Sequence, residues 1–306
     1  MVRVVFVGGL GRSGTTLLER ILGELPTVCP LGEVVHLWQR DLRDNERCGC
    51  GTAFSRCEFW QAVGEEAFGG WAQVDPARVL ALREAVERTR HIPRLAAPRL
   101  PNRYRALVAE YAGYYAALYR GAATVSGADV LIDSSKNSSL AYCLRWSSDI
   151  DLRVIHMVRD SRGVAYSWTK TVTRPESPVR DEMTRYAPGR AALLWNAHNA
   201  AFGLLPRRGV PVRRVRYEAL LADPTGTVRQ LADFAGVPAG PLDFLHGGAV
   251  RLGPCHSAAG NPMRFTTGEL PLRQDEAWRS QLPPRQRRLV GALTAPLLSA
   301  YGYGRR

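Results

Sequence analysis

The chain has 306 residues, 45% apolar and 23% charged, which is length enough to bury a sizeable core and an ordinary balance for a globular protein. No apolar run reaches the roughly 18 residues that a membrane-spanning helix needs, and no secretory leader opens the chain, so a cytoplasmic protein without a membrane span is expected. The net charge of +13 attracts anions, but the basic residues are scattered rather than gathered in a block, which speaks against a dedicated nucleic-acid face.

Val2 to Val7 is an apolar run broken only by Arg3, the pattern of a buried parallel strand. A turn follows over Gly8 to Ser13. A helix is expected from about Gly14, with Leu17, Leu18, Ile21 and Leu22 inward, ending by Pro26. "GEVVHLWQRDL" can form a second helix, and residues 44–73, rich in Gly and Cys, read as irregular. In "DPARVLALREAVERTR" Asp75 caps a helix and Pro76 takes its first turn. "PNRYRALVAEYAGYYAALYRG" is another, with Leu107, Tyr111, Tyr114 and Leu118 at helical spacing. "ADVLIDSSK" and "LRVIHMVRD" read as the second and third strands, the latter leading into the helix of "SRGVAYSWTK". Helical "RAALLWNAHNAAFGLL", the fourth strand "PVRRVRYEAL", helical "DPTGTVRQLADFAG" and a C-terminal helix complete the chain. Strands alternating with helices predict an α/β fold around a central parallel sheet. The helical region from about 36 to 125 reads as an insertion capping the sheet of one domain spanning 1–306.

Three of the six cysteines cluster as "CGCGTAFSRC", at Cys48, Cys50 and Cys57. Their spacing departs from the C-x2-4-C pairs usual for zinc. Reduced thiols or one local disulfide are expected, with a three-cysteine zinc site needing a fourth ligand as the alternative. The only lysines are Lys136 and Lys170; all other basic side chains are arginine.

The most informative stretch is "GRSGTTLL", Gly11 to Leu18. A strand before it and a helix after it place the amides of Ser13, Gly14, Thr15, Thr16 and Leu17 at a helix N-terminus, where dipole and N–H groups favour an anion. Gly9 and Gly14 have the spacing of a nucleotide-triphosphate loop, G-x-x-x-x-G-K-[ST], but Thr15 stands where the lysine would be. Arg12 supplies a positive charge from a different position.

This loop resembles the phosphosulfate loop of sulfotransferases that use 3'-phosphoadenosine-5'-phosphosulfate (PAPS), and "VRDSRGVAYSW" resembles that family's 3'-phosphate motif, with Arg159 and, eight positions on, Ser167. The resemblance implies a P-loop-like three-layer fold, PAPS as donor and PAP as product, no required metal, and Arg12 at the oxygen bridging phosphate and sulfuryl groups. It also suggests Tyr217, in "VRYEALLADP", near adenine and phosphate, and Asn261 and Arg264, in "HSAAGNPMRF", on a loop closing over the nucleotide. For the general base, the "GE" pair of the tyrosylprotein and bacterial carbohydrate branches points to Glu33, with His36 as the alternative; partial desolvation raising the Glu33 pKa would help. Lys136, ending the second strand, is expected to contact the reacting sulfuryl group, with Asp133 orienting it or Arg12. The expected acceptor is a hydroxyl of a small molecule, natural product or carbohydrate, with phenol, sugar, lipid and natural-product scaffold all left open. Its pocket is expected near Trp38, Trp60, Trp71 and the tyrosines of 104–119, or along 171–190.

Two rival readings remain. A P-loop kinase would use Asp133 as a metal-binding aspartate, but lacks its lysine and leaves Arg159 and Ser167 without a role. A polyanion-binding protein would rest on net charge alone.

Overall fold

The computed structural model describes residues 1–174, 181–182 and 184–304. Five strands form the central sheet: β1 (Val2–Gly8), β2 (Val28–Gly32), β3 (Val130–Lys136), β4 (Ile150–Val158) and β5 (Val212–Arg216). Their spatial order is β2-β3-β1-β4-β5 and every pairing is parallel. Val4 of β1 lies between Leu131 of β3 and Leu152 of β4. That central place explains the unbroken apolar run: Val4 and Phe6 belong to the core on one face, Val5 and Val7 to the core on the other.

Helices α1 (Thr15–Leu22), α2 (Glu58–Phe68), α3 (Pro76–Val86), α4 (Asn102–Ser126), α5 (Ser138–Leu144), α6 (Ser161–Thr169), α7 (Pro188–Leu204), α8 (Tyr217–Ala222), α9 (Pro224–Ala235) and α10 (Pro284–Ala300) surround the sheet. On one face, Leu18 and Ile21 of α1 pack with Leu231 of α9. On the other, Trp60 of α2, Leu82 of α3 and Tyr111, Tyr115 and Tyr119 of α4 join Tyr142 of α5 and Phe202 of α7. The result is the expected three-layer α/β arrangement, with the helices between β2 and β3 on one face. Asp75 caps α3 as expected, its carboxylate accepting from the Ala77 N–H at 2.9 Å.

Three features differ from the sequence reading. β2, "VCPLG", was not expected; it is an edge strand, where the missing N–H of Pro30 is tolerated, and only Leu31 and Gly32 of it are buried. Residues 44–73 are not irregular throughout, because α2 turns Trp60 and Val63 into the core. "GEVVHLWQRDL" is helical but not α-helical: a tight 3-10 turn at Val34–His36 runs into a wider π-helix at Leu37–Arg43. Such winding is frequent beside functional sites. Among the described residues, no helix is long and apolar enough to cross a membrane.

The chain leaves β1 for β2 on one side and later reaches β4 on the other. Ligands of open α/β sheets bind where connections diverge in this way, at the carboxyl ends of the strands.

Candidate active site

The carboxyl ends of β1, β3 and β4 open into a cleft of about 550 Å³. Arg12, Gly14, Thr15, Thr16, Leu17, Glu33, Lys136, Arg159, Ser167, Tyr217 and Asn261 all line it. No side chain caps α1, so its first-turn amides are left for a ligand or water. The Ser13 N–H differs: it is engaged with the Leu10 carbonyl at 3.2 Å, and Ser13 is buried behind the turn. Gly14 has φ 91°, and a Cβ there would stand 2.5 Å from the Tyr217 ring, so both the turn and the seating of Tyr217 require glycine. Arg12 has φ 75°, an uncommon backbone for a side-chain-bearing residue. Its guanidinium lies 5.4 Å from the Trp168 ring centroid, and Trp168 Nε1 donates to the Gly11 carbonyl at 3.0 Å.

Arg159 follows β4, and Ser167 lies two turns along α6. Arg159 donates from Nη1 to the Arg12 carbonyl (3.2 Å) and from Nη2 to the Asp275 carbonyl (3.0 Å), while its guanidinium stacks 4.6 Å from the Tyr217 ring centroid. These contacts fix its charge at the cleft wall. Lys170 pairs with the Asp275 carboxylate at 3.3 Å, on the same side.

Lys136 ends β3 with φ 67°, where the register between β1 and β3 shifts. Its Nζ donates to Glu33 Oε1. Burial works to raise the Glu33 carboxyl, but Lys136, His36 and Arg40 outweigh it, and Glu33 titrates below the usual carboxylate range. The neighbouring lysine thus opposes the rise that would help a general base. His36 Nε2 stands 3.8 Å from Glu33 Oε2. The His36 ring is one-third exposed to the cleft but enclosed by protein elsewhere, and this lost solvation pushes its pKa down to about 4, leaving it neutral at pH 7.

A loop from His256 to Arg264 closes over Glu33. The Glu33 N–H donates to the Ala258 carbonyl at 3.2 Å. Gly260 has φ 110°, and a Cβ there would lie 2.5 Å from Glu33 Oε1. Asn261 Oδ1 accepts from the Met263 N–H at 3.0 Å. Arg264 does not reach the cleft lining. It is 1% exposed and donates to the carbonyls of Gly260 (2.9 Å) and Arg47 (3.0 Å), bracing the loop from behind.

Asp133 takes hydrogen bonds from Tyr119 Oη (2.5 Å) and the Ser135 N–H (2.7 Å) instead of orienting Arg12 or Lys136, and burial raises its carboxyl to about 7. Trp38, Trp60, Tyr111, Tyr115 and Tyr119 are core residues rather than pocket walls. Tyr114 packs edge-on against Trp38, and Trp71 Nε1 donates to the Trp60 carbonyl at 2.7 Å. The cleft is lined instead by Arg40, Asn137, Thr184, Tyr186 and His198, among others. Of the 171–190 segment, residues 175–180 and 183 lie outside the described residues.

Sequence reading missed Glu19 and Arg20. Glu19 accepts from the Gly32 N–H (2.7 Å), Ser134 Oγ (2.6 Å) and Ser257 Oγ (3.0 Å), joining α1 to β2, β3 and the closing loop. Arg20 donates to the carbonyls of Arg264 (2.8 Å), Thr266 (3.0 Å) and Gly253 (2.5 Å). The signal was present: "LLERIL" sets two charges inside a helix otherwise apolar from Leu17 to Leu22, and buried charges demand partners.

A family model described as the sulfotransferase family matches residues 4–241. No curated protein matches the chain. Among solved structures, the sulfotransferase domain of the olefin synthase of Synechococcus PCC 7002 superposes with a TM-score of 0.52 at 21% identity, over 100% of this chain and 95% of that one. A sulfotransferase domain from the curacin biosynthetic pathway superposes with a TM-score of 0.52 at 16% identity, over 96% and 98%. Those likenesses establish the fold, and the family match covers the sheet together with the loops that end β1, β3 and β4. The chain therefore belongs to the sulfotransferase family.

Proposed function

We propose that the protein transfers the sulfuryl group of PAPS to a hydroxyl of a small-molecule, natural-product or carbohydrate acceptor, with Glu33 as general base. The observation that carries the reading is the convergence of Arg12, Lys136, Arg159 and the uncapped α1 amides on one cleft that also holds Glu33. Three cations and a helix N-terminus suit a ligand with two separate anionic groups. Arg159 and Ser167 take the 3'-phosphate, and the amides of Gly14 to Leu17 with the Thr15 and Thr16 hydroxyls take the phosphosulfate. Tyr217 walls the cleft between Gly14 and Arg159.

In the reaction, the acceptor oxygen bonds to sulfur while the bond from sulfur to the phosphate oxygen breaks. The acceptor proton passes to a Glu33 carboxylate oxygen, and the negative charge gathering on the leaving phosphate is met by Arg12 and Lys136. Lys136 is paired with Glu33 beforehand, so its turn toward the sulfuryl group frees the carboxylate and lets burial raise its basicity. Asn137, Tyr186 and His198, which line the same cleft, offer the acceptor polar contacts.

The test separates chemistry from binding. Glu33→Gln is expected to lower label transfer from radiolabelled PAPS to a panel of phenols and saccharides by about 10²–10⁴-fold, with PAP affinity changed only a few-fold. Undiminished transfer by Glu33→Gln would remove Glu33 from the role and return His36 to it.

A further inference from the structure

The cysteine cluster belongs to no step of sulfuryl transfer, yet the fold completes it. Cys48, Cys50 and Cys57 meet His256, about 200 residues later in the chain, and the four ligand atoms all lie within 4.8 Å of one another. Cys57 Sγ is 3.6 Å from Cys48 Sγ, 3.8 Å from Cys50 Sγ and 3.2 Å from His256 Nδ1; Cys48 Sγ is 3.9 Å from the same nitrogen. A tetrahedral zinc ion with bonds of about 2.3 Å to sulfur and about 2.0 Å to nitrogen has edges of about 3.8 Å between sulfurs and about 3.5 Å from sulfur to nitrogen. The cluster therefore has the dimensions of a tetrahedral site with three sulfur ligands and one nitrogen. A disulfide would consume two thiols and leave the third cysteine and the histidine unexplained.

The surroundings are built to hold these ligands. Cys57 occupies the N-cap of α2, where the helix dipole favours a thiolate. The His256 ring stacks on Phe59 with centroids 5.0 Å apart, and the His256 carbonyl accepts from Trp60 Nε1 at 2.8 Å. The Gly49 N–H donates to the Ser257 carbonyl at 3.0 Å, pairing the cysteine loop with the chain beside His256.

We propose that Cys48, Cys50, Cys57 and His256 bind one structural zinc ion, which clamps the loop closing over Glu33 to the helical insertion. Three thiolates and one imidazole form a closed set of ligands, the arrangement of a structural rather than a catalytic zinc. The ion sits away from the cleft lining, so sulfuryl transfer needs no chemistry from it. It acts through position: His256 is five residues before Asn261 and four before Gly260, the residue pressed against Glu33. A slack loop would let both drift. This last consequence rests on the PAPS reading; the metal site itself does not.

The full chain, purified without a metal-binding tag and without chelator, is expected to carry about one zinc ion per chain by elemental analysis. After exchange for cobalt(II), it should give the intense visible absorption of a four-coordinate site and a thiolate-to-cobalt charge-transfer band. His256→Cys should strengthen that band by adding a fourth thiolate. His256→Ala should lower metal affinity at least about 10-fold, the floor set by changes one shell further out. Zinc at less than about one ion per ten chains, with the three cysteines reacting freely or found in a disulfide, would overturn the proposal. So would a cobalt spectrum indifferent to His256→Cys. Both readouts stand whether or not the protein binds PAP, so failure of the zinc site and failure of the PAPS reading are distinguishable.

Discussion

Glu33 shows how one neighbour can reverse an expectation drawn from residue type and burial. A carboxylate inside a cleft is usually raised, but Lys136 sits against it and holds it down. The proposed base is therefore ionised at every pH above its lowered pKa, and it loses that form only as pH falls below about 4.3, the ordinary value. kcat/KM for PAPS should accordingly show no acidic inflection near pH 6.5. The kcat profile should break at a higher pH than kcat/KM, because the proposed mechanism draws Lys136 away from Glu33 in the complex. A kcat/KM limb at the pH of an ordinary histidine would contradict Glu33, and would also contradict a His36 held near 4. Arg12, Arg159 and Ser167 are legible through their resemblance to the family's motifs, each in a strand–turn–helix segment that carries it to the cleft lining. The destination of Arg264 is not legible in that way: it is set by Gly260 and by Arg47, more than 200 residues away.

The loop from His256 to Arg264 is the element on which the site depends most. Arg20 and Glu19 of α1 hold it from below, Arg264 holds it from within, and Gly260 touches Glu33. Gly260→Ala is expected to lower kcat by about 10-fold or more, since a displacement near 1 Å at a reacting group can cost about 10²-fold. Its positive φ adds about 1–2 kcal/mol of backbone strain, visible as a small fall in denaturation midpoint. Leu18→Ala, in the fully buried face of α1, should instead cost about 2–5 kcal/mol of stability and leave kcat/KM per folded molecule nearly unchanged. The same elements show what was legible. β1, β3 and β4 carry apolar runs, and α3 carries its cap, so local pattern sufficed there; β5, "VRRVR", has only Val212 and Val215 among arginines. β2 escaped because an edge strand with Pro30 and a half-exposed start has no strong period, and α2 escaped because glycines and cysteines surround it. The closing loop is legible only by resemblance, since it has no hydrophobic period; its conformation comes from partners on α1 and β2.

At the scale of the molecule, the sheet positions the cleft, the helices between β2 and β3 pack on one of its faces, and the chain carries a net charge of +13. The +13 balance is expected to speed the encounter with a polyanionic nucleotide, so the association rate for PAP should fall as salt rises. The aromatic residues of α4, which at first sight suggested an acceptor pocket, lie in the core, so the proposed acceptor would meet the polar cleft wall instead. Binding of PAP to the folded state alone should raise stability by about 2.7 kcal/mol at a free concentration of 100 times its Kd, read as a rise in Tm. The most direct test is calorimetric titration of the protein with PAP, repeated on Arg159→Ala and with magnesium ATP as the control. The expected result is saturable PAP binding, weakened at least about 10-fold in Arg159→Ala by loss of a charge-assisted contact, with ATP bound more weakly than PAP. Preference for magnesium ATP, or PAP binding indifferent to Arg159→Ala, would contradict the assignment of the cleft to PAPS.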